Sequence, residues 1–266
     1  MSRHVKLALL LTLLLAVSGQ VLATGTESTL MRIQERGQLI LGTSGNMPTM
    51  SQVDDSGKVT GFDIDIARLM ASVMNVKLVI EVMPFPELLP ALEAGKVDVV
   101  LSNVTITPQR NLRVAFVGPY LVSGKCVVTR NEALAKADGK TDLNTPETKL
   151  AVLEGSTSQD FARELFPDAT ILPVTDYGEA AELIKSEKAS GLLADYPICM
   201  ATLKNNPDAG FVSLFSLLTY EPIGIALPAN DAQFINWTQN FLNRLDGTDT
   251  LEGLSKRWLG KLTVKR

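Results

Sequence analysis

Apolar and polar residues follow two rhythms along the first half of the chain, and each rhythm predicts a different element. Continuous β-branched runs are typical of buried strands. They occur at Gln38–Thr43, Val76–Val82 and Val97–Leu101. Helical spacing marks the segments between them, with Phe62, Ile66, Leu69, Met70 and Val73 in one and Leu88, Leu89 and Leu92 in another. Strands that alternate with helices indicate α/β layering around a parallel sheet.

The same alternation begins again in the second half. Strands are predicted at Lys125–Thr129, Lys149–Leu153, Thr170–Val174 and Ser190–Ala194, with helices at Ser158–Phe166 and Tyr177–Ser186. After an apolar run at Ile223–Leu227 the chain ends in helices, one with a core face formed by Phe234, Trp237, Phe241 and Leu245. Two α/β units and a helical tail predict one domain interrupted by another, with short hinge strands near Tyr120–Gly124 and Thr219–Ile223.

The N-terminus has the pattern of an export signal. Arg3 and Lys6 precede the apolar run Leu7–Val17, and small residues end at Ala23. The run is too short to span a bilayer, so we expect cleavage before Thr24 rather than an uncleaved anchor. No Cys follows the run to accept lipid, which predicts a free periplasmic protein.

Charge and histidine content exclude several classes of function. The full chain carries a net charge of −4, and the signal contains two basic residues and no acidic one, so its removal gives −6. This negative net charge disfavours binding to nucleic acid or to an anionic membrane. The single histidine, His4, is lost with the signal. Histidine-based catalysis and histidine-ligated metal are therefore excluded after cleavage, and we expect no metal and no cofactor.

Two cysteines, Cys126 and Cys199, remain after cleavage. An oxidising compartment permits a disulfide between them, but the sequence does not bring the two Cα atoms within bridging distance. The alternative is a pair of small buried apolar side chains.

Arg110 is the first candidate for ligand binding. Thr107 and Pro108 are typical of a helix start, which places Arg110 on the first turn, near the strand end that carries Thr105. A guanidinium is a planar fork that matches a carboxylate. Most such arginines form weak surface ion pairs, and that interpretation stays open from these residues alone.

Two further segments present polar groups at strand ends. The loop from Glu154 to Gln159 follows a strand and opens a helix, so its amides and hydroxyls could face an anion, or Ser156 could cap the helix. The loop lacks the full P-loop pattern, so phosphate binding is weakly supported. Asp195 ends the apolar strand Gly191–Ala194, where it could cap a helix or accept an ammonium group.

Segments in order along most of the chain match one known family. They are Gly42-Thr43, Gly61 to Asp65, Leu88 to Leu92, Gly95 to Asp98, Thr105 to Arg110, Gly118 to Tyr120, Gly155 to Thr157, Asp195 and Leu254 to Gly260. With these residues the chain resembles the extracytoplasmic solute-binding proteins of family 3, which serve amino-acid ABC transporters. The resemblance implies an α/β, two-lobe periplasmic-binding-protein fold of type II, with ligand held between lobes joined by two hinge strands.

The resemblance also implies boundaries and partners. Residues 1–23 are expected to form the signal, 24–121 with 222–266 lobe 1, and 122–221 lobe 2. The ligand is expected to be an amino acid or a closely related small carboxylate, the partner an ABC permease, and the protein a monomer.

Site roles follow from the same resemblance. Arg110 is expected to hold the α-carboxylate, with help from the Thr105 hydroxyl, the Asn103 backbone and the loop of Ser156 and Thr157. Asp195 is expected to take the α-ammonium. Phe85 either stacks on the ligand or belongs to the core.

The chain departs from the family pattern where the ligand side chain would lie. Met47 stands where many members have an aromatic residue, and Ser44 stands where binders of basic amino acids often carry an acid. Lysine and arginine are therefore disfavoured as ligands, unless Glu154 compensates.

Two other functions remain open on the same fold. Cyclohexadienyl dehydratases resemble these binding proteins and carry a catalytic Glu just after the Gly-Thr turn of the second lobe. This chain has Gln159 there, which cannot donate a proton as an acid. The third possibility is a binding protein that feeds a sensor or chemoreceptor. We therefore expect a binding protein and not an enzyme.

Overall fold

A computed structural model describes residues 28–135, 143–214 and 219–260. The predicted export signal lies outside the described residues. Within the three described ranges, no helix has the length and apolar character needed to cross a membrane.

Two five-stranded sheets, each packed against helices, organise the chain. We call the elements around the first sheet lobe 1 and those around the second lobe 2. Lobe 1 contains α1 (Thr29–Arg36), β1 (Gln38–Thr43), β2 (Asn46–Met47), β3 (Ser51–Val53), β4 (Val59–Thr60), α2 (Phe62–Val73), β5 (Lys77–Val82), a 3₁₀ turn (Phe85–Glu87), α3 (Leu88–Glu93), β6 (Val99–Val100), α4 (Pro108–Asn111), β7 (Val114–Ser123), β13 (Glu221–Pro228), α9 (Ala232–Gly247) and α10 (Thr250–Leu259). Lobe 2 contains β8 (Lys125–Thr129), α5 (Glu132–Ala135), β9 (Lys149–Leu153), α6 (Thr157–Leu165), β10 (Thr170–Val174), α7 (Tyr177–Lys185), β11 (Gly191–Asp195), α8 (Tyr196–Asn205) and β12 (Val212–Leu214).

The two sheets have the same plan. The strand order is β5-β1-β6-β13-β7 in lobe 1 and β10-β9-β11-β8-β12 in lobe 2. The first three strands of each order are parallel and the last two are antiparallel to their neighbours. The prediction of a parallel sheet is therefore correct for only three strands of each sheet. The antiparallel strands lie in or next to the segments that connect the lobes. The alternation of strands and helices does not indicate the direction in which these strands pair.

The chain passes between the lobes twice. It leaves lobe 1 at Gly124, between β7 and β8, and returns before β13. At these crossings Glu221 is paired with Ser123, and the Lys125 amide donates to the Thr219 hydroxyl at 3.2 Å. The crossings fall at the two predicted hinge segments.

Helix α2 shows how the apolar pattern forms the core. Phe62, Ile66 and Met70 have no exposed surface, as their helical spacing predicts. Val73, on the same predicted stripe, is the last residue of the helix and is 64% exposed. The predicted apolar stripe is therefore exposed to solvent only at its C-terminal end.

The aromatic face of α9 also lies in the core, as predicted. Phe234 is fully buried, and Trp237 stacks on Phe241 with ring centroids 5.4 Å apart. This helix packs against β7 and so belongs to lobe 1, although it follows lobe 2 in the chain.

Cys126 and Cys199 form a disulfide with Cα atoms 6.6 Å apart. Both residues are buried, the first on β8 and the second in α8. The structure thus selects the disulfide over two separate buried thiols.

The first part of strand β7 is not predicted from the sequence, which indicates only a short hinge strand near Tyr120–Gly124. Its interior contains Gly118-Pro119, and Pro in a run argues against a strand because it cannot donate to the ladder. In the structure this peptide bond is cis, and the pairing with β13 shifts register between Ile223 and Ile225. The strand has ten residues, Val114–Ser123, and continues to Ser123 after the proline.

Candidate functional site

Arg110 is held at the mouth of the cleft by its short helix. The Thr107 hydroxyl accepts from the Arg110 amide and caps α4, as predicted. The guanidinium donates to the Thr105 carbonyl at 2.9 Å and, across the cleft, to the Gly155 carbonyl at 3.2 Å. A guanidinium has five donors, and the other three make no hydrogen bond within residues 28–135, 143–214 and 219–260. They are enough for a bidentate carboxylate.

Phe85 supports the guanidinium. Its ring lies 5.7 Å from the Arg110 Cζ, which is within the range of a cation–π contact, and the residue is only 7% exposed. Phe85 therefore belongs to the core and also contacts Arg110. A cavity of about 160 Å³ adjoins the pair and is lined by Phe85, Pro86, Leu88, Leu89, Pro90, Val104, Arg110, Arg113 and Gly155.

Asn103 connects the cleft with a buried carboxylate behind it. Its backbone has a φ of 49°, in the left-handed region that Asn tolerates better than most residues. Its amide donates to Asp63 at 2.7 Å, and the Tyr120 hydroxyl donates to the other Asp63 oxygen at 2.7 Å. The expectation that the Asn103 N–H faces the ligand carboxylate is therefore wrong, because Asp63 accepts that proton. The Asn103 side chain enters the cleft instead.

Burial perturbs the two groups behind Asn103. Loss of water raises the pKa of Asp63 to about 7, although hydrogen bonds from Tyr120 and Asn103 act against this rise. The same burial, together with the charge of Asp63, raises the pKa of Tyr120 well above its usual value. Asp63 therefore binds its proton at a much higher pH than an exposed carboxyl group does.

Ser156 and Thr157 open α6 in lobe 2 and have different roles. The Ser156 hydroxyl accepts from the Gln159 amide and donates to the Leu153 carbonyl at 2.6 Å. Both bonds lie within its own turn, so Ser156 caps the helix. The Thr157 hydroxyl lies 3.3 Å from that of Thr105 across the cleft. Of these two residues, Thr157 meets lobe 1.

Asp195 ends β11 and faces the cleft. It occupies the N-cap position of α8, but its side chain makes no capping hydrogen bond. Instead, one oxygen accepts from the Lys125 ammonium at 2.5 Å and the other from the Asn103 side-chain amide at 2.8 Å. The capping alternative is therefore wrong, and Asp195 does accept an ammonium group, one that belongs to the protein.

Lys125 and Glu221 were not identified from the sequence. They lie at the two crossings between the lobes, and the Lys125 side chain has no exposed surface. Its ammonium also donates to Thr157 at 2.7 Å and lies 3.3 Å from Glu221. Glu221 in turn accepts from Thr157 and Thr219. One signal was available, because Lys125 begins strand β8 directly before three apolar residues, 126–128.

Direct contacts join the two lobes. Besides the Arg110, Asn103 and Thr105 contacts above, the Asn46 side chain donates to the Thr175 carbonyl at 2.7 Å. A Cβ on Gly155 would lie 2.9 Å from the Cβ of Pro86. The structure is thus a closed arrangement that brings together Arg110, Thr105, Asn103, Thr157 and Asp195; their roles toward a ligand stay predictions.

Met47 and Ser44 lie on the lobe 1 side. Met47 is 1% exposed, and its sulfur lies 3.9 Å from the oxygen of the Ser102 hydroxyl, which donates to the Ser44 hydroxyl. Met47 is therefore in the core. Ser44 stands where binders of basic amino acids often carry an acid, and its hydroxyl adds no charge to this side of the cleft.

The cleft is electrostatically balanced. Burial lowers the pKa of Arg110, whereas the charges of Asp195, Asp160 and Glu221 raise it. Burial, with the charge of Asp195, also raises the pKa of the neighbouring Tyr177. Within the described ranges, no group of three or more His, Cys, Asp or Glu side chains could hold a metal ion.

The fold and this cleft define a two-lobe binding protein of type II. The family model of the bacterial extracellular solute-binding proteins, family 3, matches residues 39–261. The chain belongs to this family.

Individual relatives show the range of functions within it. The L-cystine-binding protein TcyJ of Escherichia coli (strain K12) is 24% identical over 243 residues, which cover 90% of this chain and 89% of the relative. Cyclohexadienyl dehydratase of Pseudomonas aeruginosa is 26% identical over 257 residues, 97% of this chain and 94% of the relative. A putative ABC-transporter binding component from Wolinella succinogenes, solved with lysine, superposes with a TM-score of 0.80 at 33% identity and covers 84% of this chain and 96% of its own.

Proposed function

We propose that the protein binds an amino acid, or a closely related small carboxylate, in the cleft and delivers it to an ABC importer by lobe closure. The observation that carries the proposal is the position of Arg110 and Asp195 on opposite walls of the closed cleft. Arg110 keeps three donors for a carboxylate. Asp195 accepts two hydrogen bonds and has lone pairs left, because an ionised carboxylate has about four acceptor sites.

A second acceptor adjoins Asp195. The Asn103 side-chain oxygen is buried and has no hydrogen-bond partner within the described ranges. A buried acceptor without a donor is costly, and an ammonium group of the ligand would satisfy it. Amino-acid binding is favoured because one ligand then supplies the anion for Arg110 and the cation for Asp195 and Asn103.

Closure follows from the distribution of these groups. Arg110 and Asn103 belong to lobe 1, whereas Asp195 and Thr157 belong to lobe 2. A ligand that contacts both walls binds the closed state better than an open one, and this difference in affinity drives closure. We propose the boundaries 24–121 with 222–266 for lobe 1 and 122–221 for lobe 2, since the two crossings lie there.

The family is extracellular, and we propose export to the periplasm through the signal at residues 1–23, without lipid. The buried disulfide between Cys126 and Cys199 supports an oxidising compartment. We further propose that the protein acts as a monomer with an ABC permease as its membrane partner. The alternative partner, a sensor or chemoreceptor, would bind the same closed form.

A dehydratase is the second candidate, because one relative carries that name. The residue that would be its acid is Gln159, whose side-chain oxygen accepts from the Gly155 amide at 3.0 Å. Gln159 thus supports the loop and has no acidic proton. We therefore propose binding rather than catalysis at this site.

A thermal-shift screen of the chain without residues 1–23 tests the proposal. Ligands are the amino acids, the matching 2-oxo acids, and prephenate and arogenate. We expect stabilisation by at least one amino acid and none by its 2-oxo acid, because a ligand of the folded state raises the melting temperature by mass action. Stabilisation by 2-oxo acids alone would contradict the role of Asp195. Formation of an aromatic product from prephenate or arogenate would establish the enzyme instead.

A further inference from the structure

The buried charges of the cleft sum to zero. Arg110 and Lys125 contribute two positive charges, and Asp195 and Glu221 contribute two negative charges. Three other carboxylates are left out of this sum. Asp63 lies behind Asn103 and is bonded to Tyr120, and Asp160 and Glu154 are exposed, where solvent screens them. The ligand therefore meets a site without net charge.

Lys125 is the residue that creates this balance. Its ammonium lies between the two carboxylates, 2.5 Å from Asp195 and 3.3 Å from Glu221. It donates hydrogen bonds to Asp195 and, at 2.7 Å, to the Thr157 hydroxyl, and it forms an ion pair with Glu221. Without Lys125, the same two carboxylates would form an anionic pocket with room for a cation from the ligand.

The position of Lys125 in the chain makes this arrangement rigid. Its backbone amide is bonded to Thr219 at one crossing, and the next residue, Cys126, is joined to α8 by the disulfide. Asp195 pairs with Lys125 in the ladder of β8 and β11, so the ammonium and its partner start from adjacent backbone positions. The α-ammonium of a ligand needs only the remaining lone pairs of Asp195 and the unpaired Asn103 side-chain oxygen. A second cation, on the ligand side chain, would meet Asp195 and Glu221 with their charge already balanced by the buried Lys125 ammonium.

We propose that Lys125 is a specificity-determining residue that restricts the site to amino acids without net charge and rejects lysine and arginine. The inference rests on the proposed function, since it presumes that an amino acid binds between Arg110 and Asp195. It gives this chain a different ligand class from the structural neighbour that was solved with lysine.

Four proteins test the proposal: the wild type, Lys125→Gln, Glu221→Gln and the double variant. Calorimetry measures the affinity of each for the neutral amino acid that stabilises the wild type most, for lysine and arginine, and for glutamate. Lys125→Gln leaves a net negative site, and we expect the affinity for lysine or arginine to rise at least about tenfold relative to the neutral ligand, a modest change for unit charges a few ångström apart. Glu221→Gln leaves a net positive site and should favour glutamate in the same way.

The double variant is the matched control. It removes one charge of each sign, so the preference for neutral ligands should return. Circular dichroism establishes that each variant is folded; if Lys125→Gln does not fold, Glu221→Gln and the double variant decide. Tight binding of lysine or arginine by the wild type, or single variants without a change of preference, would overturn the inference and leave amino-acid binding intact. Binding of no amino acid by any of the proteins would overturn both proposals.

Discussion

Replacing Asp63 by Asn should remove a pH-dependent loss of stability. Asp63 has no exposed surface, and burial raises its pKa from 3.8 to about 7. In the unfolded chain the carboxyl ionises near pH 4, whereas in the folded protein it stays protonated until about pH 7. The folded state binds more protons in this window, so stability falls as pH rises from about 4 to 7 and stays lower above it.

The magnitude follows from the same two values. At about 1.36 kcal/mol per pH unit, the interval corresponds to about 4 kcal/mol as an upper value. For a chain of this size that is a shift in melting temperature of about 10 °C. Both Asp63 oxygens accept, one from the Asn103 amide and one from the Tyr120 hydroxyl. Asn keeps one oxygen for the Asn103 amide, and its NH₂ group can donate to the Tyr120 oxygen once that hydroxyl rotates away. The variant should therefore fold with the network complete.

Thermal unfolding followed by circular dichroism from pH 4.5 to 8, without ligand, measures the effect. We expect Asp63→Asn and the wild type to have similar melting temperatures at the acid end and the variant to become more stable through pH 7. Asp55→Asn, which removes the same charge from an exposed turn, is the control and should show no such divergence. A difference between Asp63→Asn and the wild type that does not change with pH would refute the reasoning.

Two other substitutions test closure and the disulfide. Gly155→Ala places a Cβ 2.9 Å from Pro86 at a φ of 69°, so we expect calorimetry to show ligand affinity weakened about tenfold or more. Gly210→Ala is the control for backbone strain, because its φ is 65° and its added Cβ has no neighbour within 4 Å among the described residues. Equal affinities for the two variants would contradict the closed geometry. Replacing Cys126 and Cys199 by Ser opens a loop with a sequence separation of 73 residues and should lower the unfolding free energy by about 4 kcal/mol in urea denaturation. A loss below about 1 kcal/mol would mean that the cross-link constrains the unfolded chain little.

The sequence alone identifies those cleft residues that are positioned by their own helix start or strand end. Thr107 and Pro108 form a helix start by their own chemistry, and that start places Arg110. Asp195 follows from the end of an apolar strand. The resemblance to the family adds the pairing of these two across the lobes, which no local pattern contains.

Lys125 and Glu221 could not be predicted in the same way. Their ion pair depends on two crossings about a hundred residues apart, and a lysine at a strand start normally extends into solvent. Ser156 shows the opposite case, because its spacing with Gln159 predicts the cap, and the two hydrogen bonds of its hydroxyl join it to Leu153 and Gln159 in the same turn. The mixed character of both sheets was missed because strand pairing, unlike helical periodicity, is not written in neighbouring residues.

Calorimetric titration of Arg110→Ala tests the central claim, that the ligand binds between Arg110 and Asp195. The titrant is the amino acid that stabilises the wild type most. Arg130→Ala is the control, because that arginine is exposed and donates to the Lys185 carbonyl away from the cleft. We expect Arg110→Ala to give no measurable binding heat and to keep its fold, with Arg130→Ala binding as the wild type does. Unchanged affinity in Arg110→Ala would contradict the claim.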